Sequence, residues 1–321
     1  MTFARITRRA ALALAATSLF AGAAQAELTI AYINKGDPSA GWQMINGGAQ
    51  KAGNTAGVKF IEIAPGNQDL AKQLAAIEDM ISRKVNAIAL APIDSKGVAP
   101  AVRKAIAAGI PVVAVDTGVV GADVTSFVAT DNLNAALGQG KWAGEQIQDG
   151  DTVIYVTGDQ SSSTGQERRK GFIDGLNAVR KNIKVIEVPT TWDQTQAQNG
   201  VETALRKNPN VKVIGCAWDA GALGAKAAML SQGFKKGSIK IAGFDASAAG
   251  LDMMKQGWQQ ANAAQFLGRI GEVGVETAIK AAKGEQVAKR IDTGSEMVLP
   301  TTVDAFAKQH GVAKFMREKV N

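Results

Sequence analysis

The stretch IPVVAVDTG, residues 110–118, decides the fold of this chain. Pro111 is followed by four consecutive apolar residues, and the run then ends at Asp116, Thr117 and Gly118. A short apolar run of this kind is typical of a strand that is buried on both faces of a parallel sheet. It places the Asp116 carboxylate at the carboxyl end of a strand, which is where open α/β sheets bind their ligands.

A second stretch repeats this pattern further along the chain. Residues 239–246 read IKIAGFDA and put Asp245 at the tip of another apolar run. We therefore predict that Asp116 and Asp245 face each other across one ligand site. The alternative is that each carboxylate only caps the loop or helix that follows it.

Strand and helix patterns alternate along the rest of the chain. Between the predicted strands at 58–64 and 87–91, apolar residues recur at helical spacing over 69–82. The alternation restarts after Asp131 without a low-complexity linker. Such alternation predicts parallel βαβ units. The predicted class is therefore α/β, with two similar Rossmann-like lobes. Gly138 and Gly140 fall inside a helical pattern, which indicates close helix packing.

The first 26 residues have the three parts of a secretory signal peptide. Arg5, Arg8 and Arg9 precede an apolar run, and Ala24-Gln25-Ala26 supplies the small residues of a cleavage site. The apolar run is shorter than the roughly 20 residues of a membrane span. We expect cleavage after Ala26 and export to the periplasm, by the general secretory or the twin-arginine route. A membrane anchor or an ordinary first helix is the alternative.

Composition argues against several function classes. The net charge of +7 includes three arginines of the predicted signal, and no run of basic residues with aromatics suggests nucleic-acid binding. Cys216 and His310 are each the only residue of their type, so the sequence predicts no disulfide, metal site or His-based triad. Nucleotide-binding glycine motifs are missing. We predict no cofactor, no catalytic residues and no enzyme, with His310 at the surface. The loop 158–165 (GDQSSSTG) is interpreted as lining a crevice, with phosphate binding as the alternative.

Short motifs through the mature chain resemble periplasmic sugar-binding proteins of the ribose-binding type. The motifs that carry the resemblance are NGGAQ at 46–50, VVAVD at 112–116, ATDN at 129–132, Arg168 with Gly171-Phe172, DAGALGA at 219–225, GFD at 243–245 and AAQ at 263–265. Each is weak alone, but their order after a signal peptide is specific. The resemblance implies two lobes joined by three hinge strands with the ligand between them. The implied lobes are 27–130 plus 266–291 and 131–265 plus 292–321.

The resemblance also implies a set of ligand-binding side chains. The residues at positions that contact sugar in this family are Asp116, Asp245, Arg168, Gln265, Trp42 and Trp192. The positions that depart from the ribose-binding pattern are Thr117 in place of an arginine, Ser39 in place of an asparagine, Gly41 in place of an aromatic residue, and Trp218 where an asparagine is common. Lys35 instead resembles a lysine of receptors for furanosyl autoinducer-2. We include Lys35, Ser39, Thr117 and Trp218 in the predicted site. These departures argue against ribose itself and leave the identity of the sugar open. For each tryptophan the alternative is a packing role. For Arg168 the alternative, if the resemblance is set aside, is a solvent-exposed residue at the start of a helix.

The residue types fit a sugar on chemical grounds as well. An ionised carboxylate accepts hydrogen bonds from two hydroxyls, a guanidinium donates in a fixed fork, and indole rings cover C–H faces. We expect the substrate-binding component of an ABC transporter for a monosaccharide or sugar-like polyol. It would act as a monomer that closes on its ligand and delivers it to an inner-membrane permease, with a chemoreceptor left open as a further partner. The alternatives are a receptor for an autoinducer-2-like furanosyl signal and one for a cationic small molecule in a tryptophan cage.

Overall fold

The computed structural model describes residues 27–66 and 68–320. The predicted signal peptide, residues 1–26, lies outside the described residues. Within the described part of the chain, no helix has the length and apolar character needed to cross a membrane.

Strands and helices alternate through most of the described chain. The strands are β1 (Thr29–Ile33), β2 (Lys59–Ile63), β3 (Ala87–Leu90), β4 (Val112–Val115), β5 (Ser126–Ala129), β6 (Thr152–Val156), β7 (Lys184–Val188), β8 (Val213–Cys216), β9 (Lys240–Asp245), β10 (Ala261–Gln265), β11 (Arg290–Asp292) and β12 (Ser295–Val298). The α-helices are α1 (Ala40–Ala56), α2 (Leu70–Ser82), α3 (Ala99–Ala107), α4 (Asn132–Glu145), α5 (Ser163–Val179), α6 (Gln194–Lys207), α7 (Asp219–Ser231), α8 (Ala248–Lys255), α9 (Leu267–Ala282) and α10 (Val303–Gln309).

The strands form two six-stranded sheets of the same design. The first sheet has the order β11-β5-β4-β3-β1-β2, and its strands are all parallel. The second has the order β12-β10-β9-β8-β6-β7, with only the edge strand β12 antiparallel. The predicted α/β class with two Rossmann-like lobes is confirmed. In each sheet the strand order reverses beside the first strand, which opens a crevice at the carboxyl ends.

Within residues 27–66 and 68–320, the chain passes between the two sheets three times. It leaves the first sheet after β5, returns from β10 to α9, which packs on β3 and β4, and crosses again from β11 to β12. These passages suit the hinge predicted from sequence. The lobe boundaries 27–130 plus 266–291 and 131–265 plus 292–321 remain a prediction.

Glycines bring two helix pairs into close contact. A Cβ on Gly140 of α4 would lie 2.1 Å from the Phe172 carbonyl oxygen of α5, and one on Gly271 of α9 would lie 1.9 Å from the Ile45 oxygen of α1. A side chain at either position would force the helices apart. Gly140 therefore has the packing role predicted for it, whereas a Cβ on Gly138 would make only an ordinary contact at 3.7 Å.

Some elements near the C-terminus escaped the sequence patterns. The strand β11 has three residues, and α10 is a helix of seven residues. Neither is long enough to show a clear hydrophobic period. His310, which we expected at the surface, is only partly exposed, because its ring stacks on Phe266 at 4.4 Å between centroids.

Candidate functional site

A cleft lies between the carboxyl ends of the two sheets. It encloses about 470 Å³ that is free of protein atoms, counting its mouth. The residues that line it are Lys35, Asp37, Ser39, Gly41, Trp42, Ile45, Gln68, Asp116, Thr164, Arg168, Trp192, Trp218, Asp245, Gln265 and Leu267. Every residue predicted for the site is in this set except Thr117. The structure therefore brings together side chains that are more than 200 positions apart in the sequence.

An ion pair forms the wall on the side of the first sheet. Lys35 follows β1, and its Nζ lies 3.5 Å from Oδ2 of Asp116 at the end of β4. Asp116 has a φ of 65°, a left-handed backbone conformation that is uncommon outside glycine and often marks a functional residue. Burial lowers the pKa of Lys35, while the charge of Asp116 acts in the opposite direction. The Lys35 ammonium also lies 5.4 Å from the centre of the Trp42 ring.

Thr117 lies behind this wall rather than in it. Its side chain is fully buried, and its hydroxyl accepts a hydrogen bond from Lys35 Nζ at 2.8 Å and donates one to Asp116 Oδ2 at 2.8 Å. It also lies 3.0 Å from the hydroxyl of Thr164, on the side of the second sheet. The prediction that Thr117 lines the ligand cleft is therefore corrected, because these three contacts hold it beneath the surface.

A second ion pair forms the opposite wall. Arg168 of α5 donates from Nη1 to Asp245 Oδ1 at 3.0 Å and from Nε to Asn132 Oδ1 at 2.8 Å. Its guanidinium stacks on the Phe244 ring at 3.9 Å. Gln265 adds a hydrogen bond from Nε2 to Asp245 Oδ1 at 2.7 Å. Burial raises the pKa of Asp245, and the Arg168 charge opposes that rise.

Aromatic rings close the cleft on the side of the second sheet. Trp192 has a φ of 63°, and its ring fills the space above Gly158, where a Cβ would lie 2.0 Å from the indole. The Trp218 ring meets it edge-on with centroids 5.4 Å apart. A bulky residue in a left-handed conformation is a strained arrangement that the surrounding fold must maintain. The geometry fixes two indole rings beside the charged pairs.

Two polar atoms of the cleft have no protein partner. Within the described residues, Nε1 of Trp192 and Oε1 of Gln265 are buried without a hydrogen bond. Buried donors and acceptors are nearly always paired, so each such atom calls for an explanation. One of them is a donor and the other an acceptor, which suits a ligand that carries hydroxyl groups.

The start of α5 joins the two sides of the cleft. Gly118 N donates to Ser163 Oγ at 2.9 Å, and Ser163 N donates to Ser95 Oγ at 2.9 Å. Ser162 caps α5 by accepting from Gly165 N. The stretch 158–165, predicted as a loop that lines a crevice, thus ends in the first residues of α5, and one of these, Thr164, lines the cleft.

Comparison with known proteins places this architecture in a family. A sequence profile described as periplasmic binding protein domain matches residues 30–286. The chain belongs to the periplasmic binding protein family. A curated relative of this periplasmic binding protein, the ribose import binding protein of Salmonella typhimurium, is 31% identical over 252 residues, which cover 78% of this chain and 84% of the relative. The D-ribose/D-allose-binding protein of Pseudomonas aeruginosa is 32% identical over 224 residues, covering 68% and 69%.

Solved structures agree with this assignment. An ABC transporter solute-binding protein of Agrobacterium vitis with bound D-fucose superposes with a TM-score of 0.83 at 29% identity, covering 88% of this chain and 99% of the other. One from Mycobacterium smegmatis with bound glycerol has a TM-score of 0.80 at 27% identity, covering 87% and 96%. The family and the relatives are binding proteins.

Sequence reasoning missed several residues of this periplasmic binding protein's cleft. Asp37, Gln68 and Thr164 line it, and Asn132 orients Arg168 from behind. Each lies in a loop or at the start of a helix, where hydrophobic period gives no signal. The motif ATDN already contained Asn132, although no ligand-related role was assigned to it.

Asp219, at the start of α7, is a further buried carboxylate next to the cleft. It accepts hydrogen bonds from Ser247 N, Ser247 Oγ and Asn262 Nδ2 at 2.6–2.8 Å. Burial and the negative charge of Asp245 raise its pKa to about 7, against the effect of those hydrogen bonds. Asp219 therefore binds a proton more tightly in the folded protein than in the unfolded chain.

This shift predicts how stability changes with pH. A carboxyl whose pKa is raised by folding stabilises the fold fully below its unfolded pKa of about 4, and that contribution is lost as pH rises toward its folded pKa. We expect Asp219→Asn to gain thermal stability relative to the unaltered protein as pH rises from 4 to 7. Melting temperatures of both proteins across this range measure the difference. A difference that stays constant with pH would contradict the shift.

Proposed function

We propose that this chain is the periplasmic substrate-binding component of an ABC importer for a monosaccharide or a sugar-like polyol. It captures the ligand in the cleft, closes, and presents the closed form to an inner-membrane permease. We propose that it does so as a monomer, without catalysis, after export by the predicted signal peptide. Ligand and permease are then coupled through the open and closed states of one hinge.

The observation that carries this proposal is the pair of aspartates across the cleft. Asp116 and Asp245 both end a central strand in a left-handed conformation, and each has one cationic partner, Lys35 or Arg168. Carboxylates held in this way accept hydrogen bonds from neighbouring hydroxyls. Within the two pairs the charges balance, so each aspartate can accept hydrogen bonds from a neutral ligand while its own charge stays compensated. The names of the relatives and of the bound ligands in the neighbouring structures support the same ligand class.

Nine cleft residues are proposed to contact the ligand. The sugar hydroxyls would be bound by the charged residues Asp116, Asp245, Arg168 and Lys35. Its C–H faces would be covered by Trp42, Trp192 and Trp218, and the remaining edge of the sugar ring would be bound by Gln265 and Ser39. The unpartnered Nε1 of Trp192 and Oε1 of Gln265 would pair with a ring oxygen and a hydroxyl. Thr117 would act from behind, by positioning Lys35 and Asp116.

The direct test is to identify what the protein carries and binds. Mass spectrometry of the denatured protein would detect a ligand retained through purification. Thermal-shift measurements with D-ribose, D-allose, D-fucose, myo-inositol, sugar acids and quaternary amines would follow. We expect stabilisation by at least one neutral sugar or polyol. Stabilisation by amines alone would contradict the proposal and favour a cation receptor.

Replacing Trp192 tests the stacking role. We expect Trp192→Ala to weaken ligand binding at least tenfold, because the ligand loses an apolar face, with a small effect on ligand-free stability. Calorimetric titration and thermal melting measure the two effects. Trp142→Ala is the matched control, since Trp142 packs against the same core away from the cleft. A Trp192 variant with full affinity but a large loss of stability would show that this ring only packs.

A further inference from the structure

A second cavity lies beside the ligand cleft, where the first turns of α1, α6, α7 and α8 meet. We call it the side cavity. It encloses about 420 Å³ free of protein atoms, counting its opening. Ser39, Gly41, Trp218 and Asp245 line both the side cavity and the cleft. The two spaces are therefore neighbours that share one wall.

Gly41 makes this common wall thin. A Cβ built on Gly41 would have only Asp245 Oδ2 and a Leu267 methyl group within 4 Å, both at 3.9 Å. By contrast, a Cβ on Gly48, two turns further along α1, would lie 1.9 Å from a backbone carbonyl oxygen. The structure thus leaves room for additional atoms beside Gly41, between the cleft and the side cavity.

The walls of the side cavity favour an apolar occupant. The two carboxylates there already have partners, since Asp219 is bound by Ser247 and Asn262, and Asp245 is paired with Arg168. Ser39 and Gln194 are also polar wall residues, whereas Ala40, Ala220, Leu223 and Ala249 form an apolar face beside the Trp218 ring. A charged substituent would find no unpaired charged side chain in these walls, whereas an alkyl group would gain contacts on the apolar face.

We propose that the side cavity is a subsite for an alkyl substituent on the sugar held in the cleft. The ligand class is then an O-alkyl sugar, for example a methyl glycoside, in addition to the free sugar. This inference rests on the proposed sugar-binding function. The substituent passes Gly41 and lies against Ala249 and Leu223, while the hydroxyls of the same ligand stay between Asp116 and Asp245.

Paired ligands and one filled cavity test this subsite. The probes are D-ribose, D-allose and D-fucose, each compared with its methyl α- and β-glycosides by calorimetric titration. We expect the unaltered protein to bind at least one methyl glycoside as tightly as the free sugar or more tightly. Ala249→Leu should weaken the binding of that glycoside at least tenfold and the binding of the free sugar less than twofold. The reason is that Ala249 lines the side cavity but not the cleft. Ala71→Leu, an exposed position on α2, is the matched control.

The outcomes separate the subsite from the underlying function. If the free sugars bind and none of the methyl glycosides binds, the subsite is refuted and the sugar-binding function stands. Equal weakening of both ligands by Ala249→Leu also refutes it. If neither free sugars nor glycosides bind, the proposed function fails together with the subsite. Leu223→Phe narrows the same cavity from α7, so it provides the test should Ala249→Leu fold poorly.

Discussion

Arg168→Met should destabilise the ligand-free protein by about 3–5 kcal/mol and remove measurable ligand binding. Arg168 is almost fully buried, and its guanidinium compensates the charge of Asp245 at 3.0 Å. Methionine preserves much of the packing against Phe244 but leaves that carboxylate buried without a cation. Removing one partner of a buried ion pair typically costs this much, since the other charge stays desolvated. Urea unfolding and calorimetric titration at pH 7 measure the two losses.

The neighbouring arginine supplies a matched control. Arg169 is half-exposed and pairs with Glu187 on the surface, so Arg169→Met should cost less than about 1 kcal/mol and leave affinity unchanged. Acid should restore part of the stability of Arg168→Met. Without Arg168 the pKa of Asp245 rises further, and a carboxyl with a raised pKa loses its stabilising contribution as pH rises. This account would be contradicted if both variants lost the same free energy of unfolding. It would also be contradicted if the loss in Arg168→Met did not become smaller from pH 7 toward pH 4.

The sequence could predict the sheets because buried parallel strands have an unambiguous pattern. Val112–Val115 is a run with no exposed side chain, and it lies within the stretch 110–118 from which we predicted a buried strand. The boundaries differ at the functional end, since Asp116 leaves the strand in a left-handed conformation. The spacing of apolar residues does not predict such a turn, because the turn depends on contacts with residues that are distant in sequence.

Site residues could be predicted where a polar side chain directly follows a buried strand. They were harder to predict where their position depends on contacts across the cleft. Asp116 and Asp245 were predicted from strand ends alone. Thr117 was assigned to the ligand surface because it stands where ribose-binding proteins have an arginine, yet its burial depends on Lys35 and Thr164, which lie 82 and 47 positions away. No local pattern carries that information. Asp219 was missed for the same reason. It begins α7 within the motif DAGALGA, but it becomes significant only beside Asp245, 26 positions away.

Asp116→Asn should weaken ligand binding at least thirtyfold, or about 2 kcal/mol. Asparagine tolerates the left-handed backbone at this position and has nearly the same shape, so the change removes mainly the charge. The ligand then loses its ionised acceptor, and Lys35 loses its counter-ion. Asp123→Asn is the control, because the Asp123 side chain is 90% exposed and pairs with Lys289 on the surface. Unchanged affinity in Asp116→Asn would remove this carboxylate from the ligand site.

The same variant should respond to pH in the direction opposite to Arg168→Met. Burial already lowers the pKa of Lys35, and the loss of Asp116 would lower it further. An amine whose pKa is lowered by folding binds fewer protons in the folded state than in the unfolded state, so stability rises with pH toward the unfolded pKa of about 10.4. Asp116→Asn should therefore recover stability, relative to the unaltered protein, as pH is raised from 7 to 9. If Arg168→Met recovers stability in acid and Asp116→Asn recovers it in alkali, the cleft contains two separate buried ion pairs. A parallel response of both variants would instead mean that the four charges titrate as one cluster across the cleft.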